Sequence, residues 1–323
     1  MAWLRQLTPN ALESPEYTPP MHRTFAIVLL FSPILQAQQS PDCLKRTLVV
    51  NVRDRTGKLV DGLNSSSFRA SLQGQQVRIS SAIVTNGPRR IVLLVDASGS
   101  VNKENHEWDT VRLIAGNFLL KASADLHPAL VVFSDHIIDT IEFSRPPSEI
   151  VMRLANLQEG RGGTAIFDAL MYSAKLLRPS MPGDAIYLIS DGGENARQTR
   201  LREVKRELLA SGIRMFAFRL TDKYFRAATS EPTLLEDLTS TTGGAIVNFE
   251  GGPSAREHDH FLSVLDREYD EMAHFYQVEI ELPSSLKRER QLRLEAVDEQ
   301  GKKRKDVKVF YPQELPPCSI DLE

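Results

Sequence analysis

The sequence predicts an α/β domain on a mostly parallel sheet, inserted in or flanked by a β-sandwich-like module. Three observations carry this. From Arg89 to Phe275, short apolar runs of strand length alternate with helical patterns, as in a parallel sheet with helices on both faces. The segments before Arg89 and after Phe275 alternate in polarity and are rich in β-branched residues, the pattern of half-buried antiparallel strands. Neither flank holds enough strands for a stable sheet of its own, so the two are expected to join, which would bring the chain ends together.

Residues 1–20 are Pro-rich and without pattern, and read as a leader ahead of a true start at Met21. His22 and Arg23, the apolar run Phe25 to Leu35 and then Ala37 form a signal-peptide pattern over 21–37. The run is short for a bilayer span, which takes about 20 residues; the alternative is a buried apolar helix. An exported protein, secreted or held in the periplasm or cell envelope, is expected. Cys43 and Cys318 are the two cysteines. In an oxidising compartment they read as a disulfide joining the ends, against the alternative of two unrelated thiols.

Residues 43–88 form the N-terminal β segment, with turns at Thr56–Gly57, Asp61–Gly62 and Gln73–Gly74. Within 89–275 the expected strands are 91–98, 129–135, 139–143, 184–191, 213–220 and 245–249. Helices are expected over 105–122, 147–157, 165–177, 200–212 and 232–244. Gly212 supplies a C-cap and Pro232 a first helical turn. A long helix follows, with Phe261, Leu265, Met272 and Phe275 near helical spacing. The C-terminal β segment, 276–318, holds strands at 276–283, 291–298 and 306–312, with Gly301 in the last turn.

Composition narrows the function. The chain has 323 residues, 41% hydrophobic and 25% charged, an ordinary globular make-up. A net charge of −3 gives no nucleic-acid footprint, and the basic run Lys302 to Lys305 falls between strands as a solvated turn. Apart from the signal segment, no stretch suits a membrane span.

The chemistry concentrates in "VLLVDASGS" (Val92 to Ser100), where an apolar strand ends in oxygen-bearing side chains. In open α/β sheets, ligands bind outside the carboxyl ends of the strands. Asp96 sits at that end of the first long strand and Asp191, in "LISDGGEN", at that end of a later one. Thr164, in "GRGGTAIFDAL", opens a helix. With Ser98 and Ser100, two carboxylates and three hydroxyls can meet on one sheet edge. Oxygen ligands with few charges suit a hard cation: Mg²⁺, with Mn²⁺ or Ca²⁺ as alternatives. The competing reading is that Asp96 and the serines merely cap the next helix.

Other motifs are weaker. "GRGGTA" lacks the rest of a phosphate-binding fingerprint, and "HEWDT" at His106 lacks a second histidine. Ser284 and Lys287 fit S-x-x-K without companion elements. Glu257, His258 and His260 read as a wet helix start rather than a zinc site. Asp135 and Asp168 are expected to support local turns and helix geometry.

"DASGS", Thr164 and "SDG" at Asp191 together resemble the metal-ion-dependent adhesion site of von Willebrand factor type A domains, with all five positions present in order. The likeness covers roughly Arg89 to Phe275. The flanks, including "VNVRDRTGKLVDGLNSSSF", resemble exported bacterial proteins described as VWFA-related acidobacterial. The resemblance implies a Rossmann-like domain binding a divalent cation through the Ser98, Ser100 and Thr164 hydroxyls. Asp96 and Asp191 then bind directly or through water. It further implies a protein partner that offers a carboxylate to the open coordination position. Gly162 and Gly163 are expected to let the Thr164 loop move as that partner binds. Adhesion-type binding without catalysis is the leading function. The alternatives are a metal-assisted hydrolase with Glu194 as its base, and an envelope assembly factor.

Overall fold

A computed structural model describes residues 43–85, 89–101, 107–121, 126–157, 161–221, 232–250 and 258–317. The expected leader and signal peptide, His106, Glu257 and Cys318 lie outside the described residues. Cys43 is disulfide-bonded.

In chain order the elements are β1 (Lys45–Asp54), β2 (Phe68–Leu72), β3 (Gln75–Thr85), β4 (Arg89–Asp96), α1 (Glu107–Lys121), β5 (Leu126–Phe133), β6 (Ile137–Ile141), α2 (Pro147–Asn156), α3 (Ile166–Leu176) and β7 (Ala185–Ser190). Then come α4 (Leu201–Ser211), β8 (Arg214–Thr221), α5 (Pro232–Thr242), β9 (Ile246–Glu250), α6 (His258–Ala273), β10 (Phe275–Glu281), β11 (Arg290–Ala296), β12 (Val307–Phe310) and β13 (Glu314–Leu315).

Six strands make the central sheet, in the order β6-β5-β4-β7-β8-β9. All its pairs are parallel except β5 with the edge strand β6. The apolar runs of β4, β5 and β7 are continuous because both faces are covered. Ile91, Leu93 and Val95 pack with α1, α2 and α6 on one side. Val92 and Leu94 pack with α3, α4 and α5 on the other. The chain steps from β4 to β5 in one direction and returns to β7 on the opposite side of β4. That places the topological switch point between β4 and β7, and their register there runs Val95 beside Ile189.

The remaining strands form one antiparallel sheet of seven, β12-β1-β10-β3-β2-β11-β13. Strands from before β4 and after α6 pair directly: β10 lies between β1 and β3, and β11 beside β2. Leu48, Val50, Val278, Ile280, Leu292 and Leu294 share one core, so the two flanks join into one module, a single sheet curled around its own apolar face. Phe275 and Thr85 are paired residues of β10 and β3; the α/β domain leaves and re-enters the curled sheet at one place.

The junction is built on Arg214, wholly buried at the start of β8. Its guanidinium donates to Asn51 Oδ1 at 2.8 Å and to the carbonyls of Glu271 and Met272 at 3.0 and 3.1 Å. Those carbonyls end α6, where the helix dipole favours a cation. The rings of Phe275 and Phe216 flank it, with centroids 4.8 and 5.1 Å away. Phe275 belongs to β10 rather than to the preceding helix, because its ring is held in this junction.

Asp61–Gly62 forms no hydrogen-bonded turn; Tyr276 pins that segment instead, its hydroxyl donating to Val60 O at 3.0 Å and accepting from Leu63 N at 3.1 Å. Gly212 is the left-handed cap of α4, with φ 64°.

Candidate functional site

The site lies at the carboxyl ends of β4 and β7, where the chain changes direction across the sheet. Asp96 ends β4 and is wholly buried. Its Oδ1 accepts from the Ser98 amide at 2.9 Å, which bends the chain into a tight turn. That turn closes with Val101 N donating to Ser98 O at 3.1 Å. Ser98 and Ser100 face each other, their hydroxyl oxygens 3.1 Å apart.

One step past the Val95–Ile189 pair, Asp96 lies beside Ser190. The Ser190 hydroxyl donates to Asp96 Oδ2 at 2.5 Å and accepts from Gly192 N at 3.0 Å. Asp191 follows, its Oδ1 accepting from Gly193 N at 2.9 Å. A Cβ built on Gly193 would stand 3.4 Å from Asp191 Oδ1 and 3.8 Å from Thr164 Oγ1. The Thr164 hydroxyl and the Asp191 carboxylate therefore flank the same backbone. All five expected residues converge on this edge.

The loop from β7 to α4 is sewn to the loop before α3. Asn195 Oδ1 accepts from Thr164 N at 2.8 Å, while Asn195 N and Ala196 N donate to Thr164 O at 3.0 and 3.1 Å. Asp168 on α3 accepts from Gln198 N and Thr199 N, both at 2.8 Å, and from the Thr199 hydroxyl. The glycines permit close approach here. A Cβ on Gly163 would come 2.5 Å from Asn195 Oδ1, and one on Gly162 2.9 Å from Asp135 Oδ2. Asp135 also accepts from His136 Nδ1 at 2.5 Å and from Ser134 Oγ at 3.1 Å.

Electrostatics favour a cation here. Burial, followed by the negative charge of Asp191, pushes the Asp96 carboxyl up to about 7, against the hydrogen bonds from Ser190 and Ser98. Two carboxylates that repel one another are relieved by a positive ion between them. Ligands at right angles on an octahedral Mg²⁺ lie about 3 Å apart, close to the Ser98–Ser100 separation. Among the described residues no group of three His, Cys, Asp or Glu side chains gathers to hold a metal. The donor set is instead two carboxylates with hydroxyls, and those residues fit a hard cation.

Of the other candidates, Glu194 stays on this edge, in the β7–α4 loop between Gly193 and Asn195, whereas Ser284, Lys287, His258 and His260 belong to other elements. Glu194 caps α3: its Oε2 accepts from Phe167 N at 3.0 Å. Burial raises its carboxyl to about 7, opposed first by that amide. Ser284 and Lys287 are exposed between β10 and β11. His258 and His260 fall in the first turn of α6. Sequence reasoning missed Ser190 and Asn195; "SDG" and "GGEN" contain them, but only the β4–β7 register and the loop crossing reveal their partners.

The family described as "VWA domain containing CoxE-like protein" matches residues 40–240. The chain belongs to this family. No curated protein matches the chain. Solved structures similar to this VWA protein include the conserved hypothetical protein BatB from Bacteroides thetaiotaomicron. It is 13% identical with a TM-score of 0.45, over 58% of this chain and 99% of that one. An aerotolerance-related membrane protein from Bacteroides fragilis NCTC 9343, carrying multiple mutations to serines, is 14% identical with a TM-score of 0.44, over 57% and 100%. A von Willebrand factor type A protein from Catenulispora acidiphila is 10% identical with a TM-score of 0.46, over 86% and 74%. No helix among the described residues of this VWA protein is long and apolar enough to cross a membrane.

Proposed function

We propose that this VWA protein is an exported, non-enzymatic binding module of the adhesion type, dependent on a divalent cation. Asp96, Ser98, Ser100, Thr164 and Asp191 would hold Mg²⁺, or Mn²⁺ or Ca²⁺ in its place. The bound ion supplies a positive position that accepts one more oxygen, from a carboxylate of a partner protein. The observation that carries this reading is the convergence of two mutually repelling carboxylates and three hydroxyls from three loops at the switch point.

The chain's own residues fit that task. Three of the five donors are neutral hydroxyls, so two carboxylates balance a divalent ion without excess negative charge, and a third carboxylate is still attracted. Ser98 and Thr164 are buried while Ser100 is exposed and Asp191 half-buried; the site opens to solvent on the Ser100–Asp191 side, where a partner can approach. The clamp of Asn195 on Thr164 supports a site formed before the partner arrives. Export rests on the signal-peptide pattern over 21–37.

Calorimetric titration with Mg²⁺ and with Mn²⁺ tests the reading. Wild-type protein is expected to bind one ion per chain, and Asp96→Ala to lose that binding while keeping its far-ultraviolet circular dichroism. Equal ion binding by Asp96→Ala overturns the site.

A further inference from the structure

Ser190 belongs to no ligand set expected from the sequence, yet it is wholly buried against Asp96 at the end of β7. Its hydroxyl accepts from Gly192 N at 3.0 Å and lies 2.5 Å from Asp96 Oδ2. A hydroxyl carries one proton and two lone pairs. With a lone pair given to the Gly192 amide, the proton points to the carboxylate. On the other side, Asp96 Oδ1 accepts from Ser98 N at 2.9 Å. Each Asp96 oxygen is thus fixed by a different strand end: Oδ1 by the turn leaving β4, and Oδ2 by β7.

Without Ser190, one carboxylate oxygen would lose its anchor, and the group could turn about its Cα–Cβ and Cβ–Cγ bonds. Ordering it would then accompany every binding event rather than folding. Ser190 also precedes Asp191 directly, so the strand end that contributes one expected ligand orients the other.

We propose, resting on the metal-binding reading above, that Ser190 is a positioning residue for the cation: it fixes the Asp96 carboxylate toward the site without entering the shell. Partners of this kind behind ligating groups are typically worth about 10–100-fold in metal affinity.

The test uses the full chain with Ser190→Ala, Ser190→Thr and Ser190→Cys. Mg²⁺ and Mn²⁺ affinities are measured by calorimetry, and thermal unfolding is followed in chelator. Ser190→Ala is expected to bind both ions about 10–100-fold more weakly. Ser190→Thr keeps the hydroxyl and is expected within about threefold of wild type, a rescue that general loosening of the strand would not give. If Ser190→Ala does not fold, Ser190→Cys, nearly isosteric with a weak donor, is expected to show the same loss. A lowered melting temperature in chelator with unchanged affinities overturns the proposal alone. A wild-type chain that binds neither ion overturns the metal reading, and the proposal with it.

Discussion

Glu268 is a buried carboxylate within reach of the charges of Arg53 and Arg267. It stands on α6, buried, and the Tyr187 hydroxyl donates to its Oε2 at 2.7 Å. Burial raises its carboxyl to about 8, opposed first by that hydrogen bond. In the unfolded chain the group titrates near its ordinary value, roughly 4.3. The folded protein therefore keeps a proton that the unfolded chain releases. Stability from this group is full below pH ~4.3 and is lost as pH rises through about 8, at up to about 1.4 kcal/mol per pH unit. Glu268→Gln keeps an acceptor for Tyr187 and cannot ionise. Urea denaturation is expected to find it within about 1 kcal/mol of wild type at pH 4.5 and more stable than wild type at pH 8. A parallel pH dependence in both proteins would refute the assignment. Asp96, Thr164 and Asp191 were legible as candidates because each stands where a strand pattern ends or a helix pattern begins. Glu268 and Ser190 were not: a lone Glu in an amphipathic helix and a Ser inside an apolar strand carry no local sign of what they face.

At the scale of elements, the loop from β7 to α4 and the loop before α3 behave as one piece. Gly163 has no positive φ, unlike Gly162. Replacement by Ala there is opposed by sterics alone, since its Cβ would run into Asn195. Gly163→Ala is expected to cost about 1–3 kcal/mol and to speed amide hydrogen exchange at Thr164. Unchanged exchange at Thr164 would show that the clamp does not hold that loop. Most helix and strand positions were legible to within a few residues, because apolar spacing and caps such as Gly212 and Pro232 are local. The exceptions have tertiary causes. Phe275 continued a helical spacing but is held by cations from Arg214 and Arg89, 4.8 and 5.1 Å from its ring centroid. Asp61–Gly62 looked like a turn, but Tyr276 holds it open.

For the whole molecule, Arg214 is expected to decide whether the curled sheet and the α/β domain unfold together. Arg214→Met removes the cation and strands three buried acceptors, Asn51 Oδ1 and the carbonyls of Glu271 and Met272. A loss of roughly 3–5 kcal/mol is expected. Denaturation followed by Trp108 emission, from the α/β core, should then separate from the circular dichroism transition, whereas wild type gives one. Coincident transitions in the variant would mean that other contacts couple the two parts. The junction could not be read from the sequence, because an arginine opening a strand looks like an ordinary solvated flank until β1, β8, α6 and β10 are brought together.

The pairing of Thr85 with Phe275 has a mechanical meaning. Every residue of the α/β domain lies on the covalent path between the chain ends, yet the β3–β10 ladder bridges its entry and exit. With the Cys43 disulfide reduced, tension applied at the two ends would run through the hydrogen bonds of the curled sheet and pass the α/β domain by. That domain hangs from the tensioned sheet as a pendant, so its switch-point edge would keep its shape under a pull that strains the strands beneath it.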